Sequence, residues 1–185
     1  FMIEITAAVR RGAPEAFLVA DMPFGSYQAS IEQGVKNVVT MVQKTGCDCV
    51  KMEVAEFHLP LITALTAAGV PIMGHIGLKP QSVNLLGGYK TQGKTAHNAV
   101  EIIRLAVEIE MAGAAALLVE AVPPAVSEEI AKRTHIPLIG CGAGSACHGC
   151  VIVTHDGLGL SDRKPRFVPE LGNLADPMRK AFDLY

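Results

Sequence analysis

The chain is poor in the features that mark several classes of protein. Only 18% of its 185 residues are charged, 16 basic against 18 acidic, giving a net charge of −2. No basic patch stands out, which argues against nucleic acid as a partner. No apolar run reaches the roughly 18 residues of a membrane span, so no membrane partner is expected. The opening residues, Phe1-Met2-Ile3-Glu4-Ile5-Thr6, lack the charged-then-apolar layout of a secretion signal. They read instead as the middle of a helix, with Ile5 and Val9 on one face. Five cysteines make an odd number, and no second C-x-x-C accompanies Cys147-His148-Gly149-Cys150. A disulfide framework and a zinc ribbon therefore each lack parts. The pattern favours a reducing, cytoplasmic setting, and the C-x-x-C reads as a plain loop. No linker, low-complexity tract or domain boundary is visible, so residues 1–185 read as one domain.

What is present points to a buried sheet. Half of the residues are hydrophobic. Four short apolar runs each lead into polar residues: Phe17-Leu18-Val19-Ala20 into Asp21, Cys49-Val50 into Lys51 and Glu53, Pro71-Ile72-Met73-Gly74 into His75, and Leu117-Leu118-Val119 into Glu120. Short all-apolar runs suit parallel strands buried on both faces. Polar groups at their C-terminal ends sit where α/β folds place active sites. Three acids, a lysine and a histidine arriving in this way suggest a metal-assisted enzyme site.

A unit of helix, glycine and strand recurs. Ile31, Val35, Val38, Val39 and Val42 share one helical face and precede Gly46. Phe57, Leu61, Leu65 and Ala68 precede Gly69, and Ala99, Ile102, Ile103, Ala106 and Ile109 precede Gly113. The spacing is that of amphipathic helices, and the glycines suit the left-handed residue that ends them. Pro124 suits the first turn of a further helix through Ile130. Strands are expected near 16–21, 48–53, 70–75, 114–120, 136–140 and 150–155, with a final helix near 170–183. Strict alternation implies a parallel sheet covered by helices. Two architectures fit six strands: a complete open sheet, or a (β/α)8 TIM barrel with about two N-terminal βα units missing from this chain. The start in mid-helix, and polar ends on almost every strand, favour the partial barrel.

The loop after the third strand is long: Gly74-His75-Ile76-Gly77-Leu78-Lys79-Pro80-Gln81-Ser82-Val83-Asn84, then Gly87-Gly88-Tyr89-Lys90. Loops of this length in compact domains tend to be functional, and this one reads as a lid. Lys51 and Glu53, two apart on a strand, can point to one side. Glu120 follows a buried run, where a lone acid is costly unless paired or used. Plainer readings exist for the others. Asp21 fits a turn, Lys51 and Glu53 fit a structural ion pair, and His75 fits a hydrogen-bonded core histidine. Gly140-Cys141-Gly142-Ala143-Gly144 lacks the spacing of a dinucleotide fingerprint and reads as close backbone packing near the site. His155-Asp156 reads as shaping the last strand end.

Several ordered motifs carry a resemblance to the ketopantoate hydroxymethyltransferase family. They are Asp21-Met22-Pro23-Phe24-Gly25-Ser26-Tyr27-Gln28, the stretch from Pro71 to Lys94, Val119-Glu120-Ala121-Val122-Pro123, Ile139-Gly140-Cys141-Gly142-Ala143-Gly144 and His155-Asp156-Gly157-Leu158-Gly159-Leu160. The resemblance implies a (β/α)8 barrel and a magnesium-dependent, aldol-type transfer of a hydroxymethyl unit. The donor would be 5,10-methylenetetrahydrofolate and the acceptor α-ketoisovalerate, giving ketopantoate for pantothenate and coenzyme A. It also implies a homo-oligomer, usually a decamer. By the same resemblance Asp21 binds magnesium and lies against the keto acid, and Lys51 holds the substrate carboxylate. Glu53 belongs to the metal's coordination sphere, Glu120 is the general base, and His75 lies near the substrate. The residue types suit enolate chemistry: a hard dication takes oxygen ligands, and a carboxylate in a partly dry site removes the proton.

The chain departs from the family pattern in places. Val54 and Ala55 stand where two glycines are usual after the metal-site acid, Ala121 replaces a common cysteine, and His148 and Cys150 replace acidic and amide residues. The resemblance also implies a second metal-binding aspartate, followed by a substrate-binding serine, on a strand that would lie before residue 1. Two other readings stay open: a related barrel lyase or mutase acting on keto acids or phosphoenolpyruvate-like substrates, and a non-catalytic fragment that binds metabolites.

Overall fold

The computed structural model describes residues 1–85 and 87–185. It resolves into two units, Phe1–Gly149 and Cys150–Tyr185. In the first, helices and strands alternate: α1 (Met2–Gly12), β1 (Val19–Asp21), α2 (Ile31–Thr45), β2 (Cys49–Glu53), α3 (Leu59–Ala67), β3 (Ile72–Gly77), α4 (Ala96–Met111), β4 (Ala116–Glu120), α5 (Pro124–Arg133) and β5 (Leu138–Cys141). A two-residue strand, β6 (Gly149–Cys150), falls where one unit gives way to the next. The second unit contains α6 (Thr154–Gly157) and α7 (Ala175–Leu184).

Local chemistry sets the helix ends. Ser30 caps α2 by accepting the Gln33 N–H, and Gly46 ends it in the left-handed conformation at φ +64°. Thr95 caps α4 by accepting the Asn98 N–H, and Pro124 opens α5. No helix among the described residues is long and apolar enough to cross a membrane.

Strands β1 to β5 pair in parallel with their sequence neighbours: Val19 lies opposite Cys49, Val50 opposite Ile72, Met73 opposite Ala116 and Leu117 opposite Leu138. The full order is β1-β2-β3-β4-β5-β6, without reversal. A doubly wound sheet reverses at a switch point, whereas a barrel wall runs in consecutive order. Side chains alternate between the faces. Ala20, Val50, Met52, Ile72, Ile76, Leu117, Val119 and Leu138 join the main core with the helices. The opposite, inner face carries a smaller apolar cluster of Cys49, Met73, Ala116 and Leu118, with Val19 and Ile139 packed on it. Polar residues continue that inner face beyond the cluster, because the register places the C-terminal ends of β1 to β4 side by side.

The structure corrects several boundaries. Strand β1 begins at Val19 rather than near residue 16, and Phe17 is exposed. Phe57 is also exposed and lies in a 3₁₀ turn, Glu56–His58, ahead of α3 rather than on its buried face. Helix α1 buries Thr6 and packs Met2 and Ile3, leaving Ile5 and Val9 exposed. The strand expected at 150–155 stops at Cys150. There the Val153 carbonyl accepts the N–H groups of Asp156 and Gly157, so the backbone turns into α6. An Asp-Gly pair two residues beyond a short apolar run, as in Val151-Ile152-Val153-Thr154-His155-Asp156-Gly157, favours a turn over continued extension. His155 and Asp156 therefore lie on that short helix. The last helix starts at Ala175, five residues later than expected.

Candidate active site

Inward-facing residues at the ends of β1, β2, β3 and β4 form one polar row. Asp21 Oδ1 lies 2.9 Å from Lys51 Nζ. Lys51 Nζ lies 3.4 Å from His75 Nδ1. His75 Nε2 lies 3.3 Å from Glu120 Oε2. Burial is graded along the row: the His75 side chain is 2% exposed, Glu120 17%, Lys51 18% and Asp21 40%. The outer contacts are close but not aligned as hydrogen bonds, since buried Asp21 Oδ1 and His75 Nε2 each lack a hydrogen-bond partner. The plainer reading of Lys51 and Glu53 as a structural ion pair does not hold; Lys51 pairs with Asp21 across the strands.

Glu53 shares the inner face of β2 with Lys51 but serves the adjoining loop. Its Oε1 accepts the Gln81 N–H at 2.8 Å, and its Oε2 accepts the Ser82 hydroxyl at 3.2 Å. Gln81 Nε2 also donates to the Met22 carbonyl at 2.9 Å, tying the loop to the segment after β1. Tyr27 fixes the backbone beneath: its hydroxyl accepts the Glu53 N–H at 3.1 Å and donates to the Glu53 carbonyl at 3.2 Å. Burial, reinforced by the Glu53 charge, holds the Tyr27 phenol well above its usual range. Lys79 donates to the Val54 carbonyl at 3.2 Å, and burial lowers its pKa despite the opposing pull of Glu53. Gln81, Ser82 and Lys79 were legible only as members of a long loop, and Tyr27 only as part of a motif. A cleft of about 310 Å³ lies between these strand ends and α4, lined by Val54, Ile76, Lys79, Gln92 and Arg104 among others. None of the five sequence-derived site residues lines it.

Backbone geometry around Glu120 is tightly constrained. The Glu120 carbonyl accepts the Leu78 N–H at 2.8 Å. Gly77 makes this possible: at φ +85° a Cβ there would stand 2.3 Å from that carbonyl oxygen. Ala121 follows at φ +47°, the one non-glycine residue with positive φ among the described residues. Its N–H donates to the Cys141 carbonyl and its carbonyl accepts the Gln92 N–H. Such a conformation costs a non-glycine residue about 1–3 kcal/mol, and here the flanking strands enforce it. Gly140 reflects close packing of another kind, since a Cβ there would stand 2.8 Å from Cys147 Sγ.

Among the described residues, no group of three or more His, Cys, Asp or Glu side chains could hold a metal. Asp21 and Glu53 remain as a two-carboxylate set on neighbouring strands. Magnesium retains several waters and is commonly held by one or two carboxylates, so the donor chemistry fits that ion better than zinc.

Comparisons with known proteins give the family. The family model for ketopantoate hydroxymethyltransferase matches residues 1–185. The chain belongs to that family. A relative from Geobacillus sp. (strain WCH70), named 3-methyl-2-oxobutanoate hydroxymethyltransferase, is 47% identical over 185 residues, which is 100% of this chain and 66% of the relative. One of the same name from Thermotoga sp. (strain RQ2) is 48% identical over 181 residues, covering 97% of this chain and 67% of the relative. The chain thus spans about two thirds of the length of the curated relatives it matches. Among solved structures, deoxyribose phosphate aldolase from Aeropyrum pernix superposes with a TM-score of 0.51 at 10% identity, over 81% of this chain and 70% of its own. That likeness concerns the fold alone.

Two outcomes follow from the site's construction. Gly77→Ala should destabilise the protein by about 2–4 kcal/mol in urea unfolding, since both the positive φ and the Glu120 carbonyl oppose a Cβ. The second concerns His58, whose pKa is pushed down to about 4, first by burial and then by Lys79. Its Nδ1 accepts the Ala55 N–H at 3.0 Å. Between its ordinary value near 6.5 and 4, the unfolded chain binds the proton that the folded one refuses. This group's contribution to stability is therefore intact above pH 6.5 and declines as the pH falls towards 4. In His58→Asn, whose amide oxygen can accept the Ala55 N–H, the loss of stability over that window should be shallower than in the wild type.

Proposed function

We propose that the protein transfers a hydroxymethyl unit from 5,10-methylenetetrahydrofolate to α-ketoisovalerate, forming ketopantoate. The observation that carries this reading is the row Asp21–Lys51–His75–Glu120, which sets the Lys51 cation and the Glu120 carboxylate on one inner face with His75 between them, in a chain of this family. Lys51, a three-donor point charge, suits the substrate carboxylate. Glu120 suits the general base: it takes the proton from C3 of the keto acid, and the electron pair left behind forms the enolate. Water adds to the methylene carbon as its bonds to the folate nitrogens break, so that tetrahydrofolate leaves and the one-carbon unit is freed as formaldehyde. The enolate carbon then attacks that carbonyl carbon, whose oxygen takes up the proton removed from C3 and becomes the new hydroxyl.

Asp21 and Glu53 would hold magnesium, whose chemistry when bound is to supply positive charge against the negative charge that develops on the keto oxygen. The loop at Gln81 and Ser82, fastened to Glu53, would shield the reacting carbons from bulk water. On this reading the sheet is part of a (β/α)8 barrel, with about two further N-terminal βα units and a second metal-binding aspartate lying outside the present chain. A cytoplasmic setting and assembly as a homo-oligomer go with the same proposal.

Turnover of α-ketoisovalerate with the folate donor and magnesium, followed by chromatographic detection of ketopantoate, tests it. The wild type should form ketopantoate, and Glu120→Gln should lower kcat by about 10²–10⁴-fold. Absence of product with the wild type, or a Glu120→Gln variant as active as the wild type, would overturn the proposal.

A further inference from the structure

The proposed reaction leaves His75 without a role of its own. The residue is 2% exposed, and its two ring nitrogens face different partners. Nδ1 lies 3.4 Å from Lys51 Nζ, and Nε2 lies 3.3 Å from Glu120 Oε2. A lysine ammonium has three donors and no acceptor. The nitrogen facing it must present a lone pair, so the ring hydrogen resides on Nε2. The opposite tautomer would set a hydrogen against the ammonium and a lone pair against the carboxylate, both unfavourable. Nε2–H is buried and lacks an aligned partner. Leaving such a donor unsatisfied costs about 1–3 kcal/mol. The imidazole is locked by its surroundings, whereas Glu120 retains 17% exposure and can turn to meet it.

We propose that His75 is a positioning residue for Glu120. Held as the Nε2–H tautomer by Lys51, it donates to one carboxylate oxygen of Glu120 and leaves the other oxygen to accept the substrate proton. Lys51 thereby orients the base at second hand, through a rigid ring on the strand between them. The inference rests on reading Glu120 as the base, and its hydrogen-bond content is separable from turnover.

Nitrogen NMR of protein labelled with 15N-histidine, without substrate, tests the tautomer directly, the His75 signals being assigned by their loss in His75→Gln. The wild type should show a hydrogen on Nε2 and a bare Nδ1, and Lys51→Met should shift the ring towards a mixture of tautomers. In turnover, His75→Phe should lower kcat by about 10–100-fold while changing KM for the keto acid less than about threefold. His75→Gln, which keeps an amide donor, should recover a large part of that loss. A ring hydrogen on Nδ1 in the wild type, or a tautomer indifferent to Lys51→Met, would overturn the proposal, and so would equal losses in the Phe and Gln variants. A wild type that makes no ketopantoate defeats the functional reading alone, because the tautomer and its dependence on Lys51 are read without turnover.

Discussion

The ammonium of Lys51 sits between Asp21 Oδ1 at 2.9 Å and His75 Nδ1 at 3.4 Å, with its side chain only 18% exposed. Three carboxylates, on Asp21, Glu53 and Glu120, occupy the same inner face. Without that cation their mutual repulsion would act in a partly dry setting, where charges interact far more strongly than in water. The lysine offsets Asp21, dictates the hydrogen position on His75 and, through that ring, reaches Glu120. Sheet register makes this possible: Asp21 pairs with Lys51, Glu53 with His75 and Gly77 with Glu120, so every second residue at neighbouring strand ends turns to one side.

The same face also anchors the loop that follows β3. Glu53 accepts donors from Gln81 and Ser82, while Tyr27 holds the Glu53 backbone from below. Sheet, loop and the segment after β1 therefore share one hydrogen-bonded joint. A second joint lies at Glu120, where the left-handed Ala121 and the close approach of Gly77 fix the departure of the chain from β4. Strain is concentrated where the proposed base must point in one direction, a common arrangement at functional sites.

The parallel sheet and its helices were legible because both depend on local pattern. The apolar runs before Asp21, Lys51, His75 and Glu120 marked β1 to β4, and Gly46 marked the end of α2 by the conformation it alone adopts cheaply. Motif resemblance named the five site residues, and alternation along strands explains why they share a face. What the sequence hid was tertiary. Nothing local separates Lys51 paired with Glu53 from Lys51 paired with Asp21, because that choice depends on the neighbouring strand. The roles of Gln81, Ser82 and Tyr27 depend on where the loop lies in space. The strand expected at 150–155 failed because Asp156-Gly157 turn chemistry outweighed an apolar run of three residues, Val151 to Val153.

The central claim is that Glu120 removes the C3 proton of a keto acid held beside Lys51. Proton NMR of α-ketoisovalerate in deuterium oxide, with the protein and magnesium but no folate, addresses that step alone. The account predicts that the C3 proton signal fades with the wild type and persists with Glu120→Gln. Exchange at equal rates in both, or none with the wild type, would contradict it.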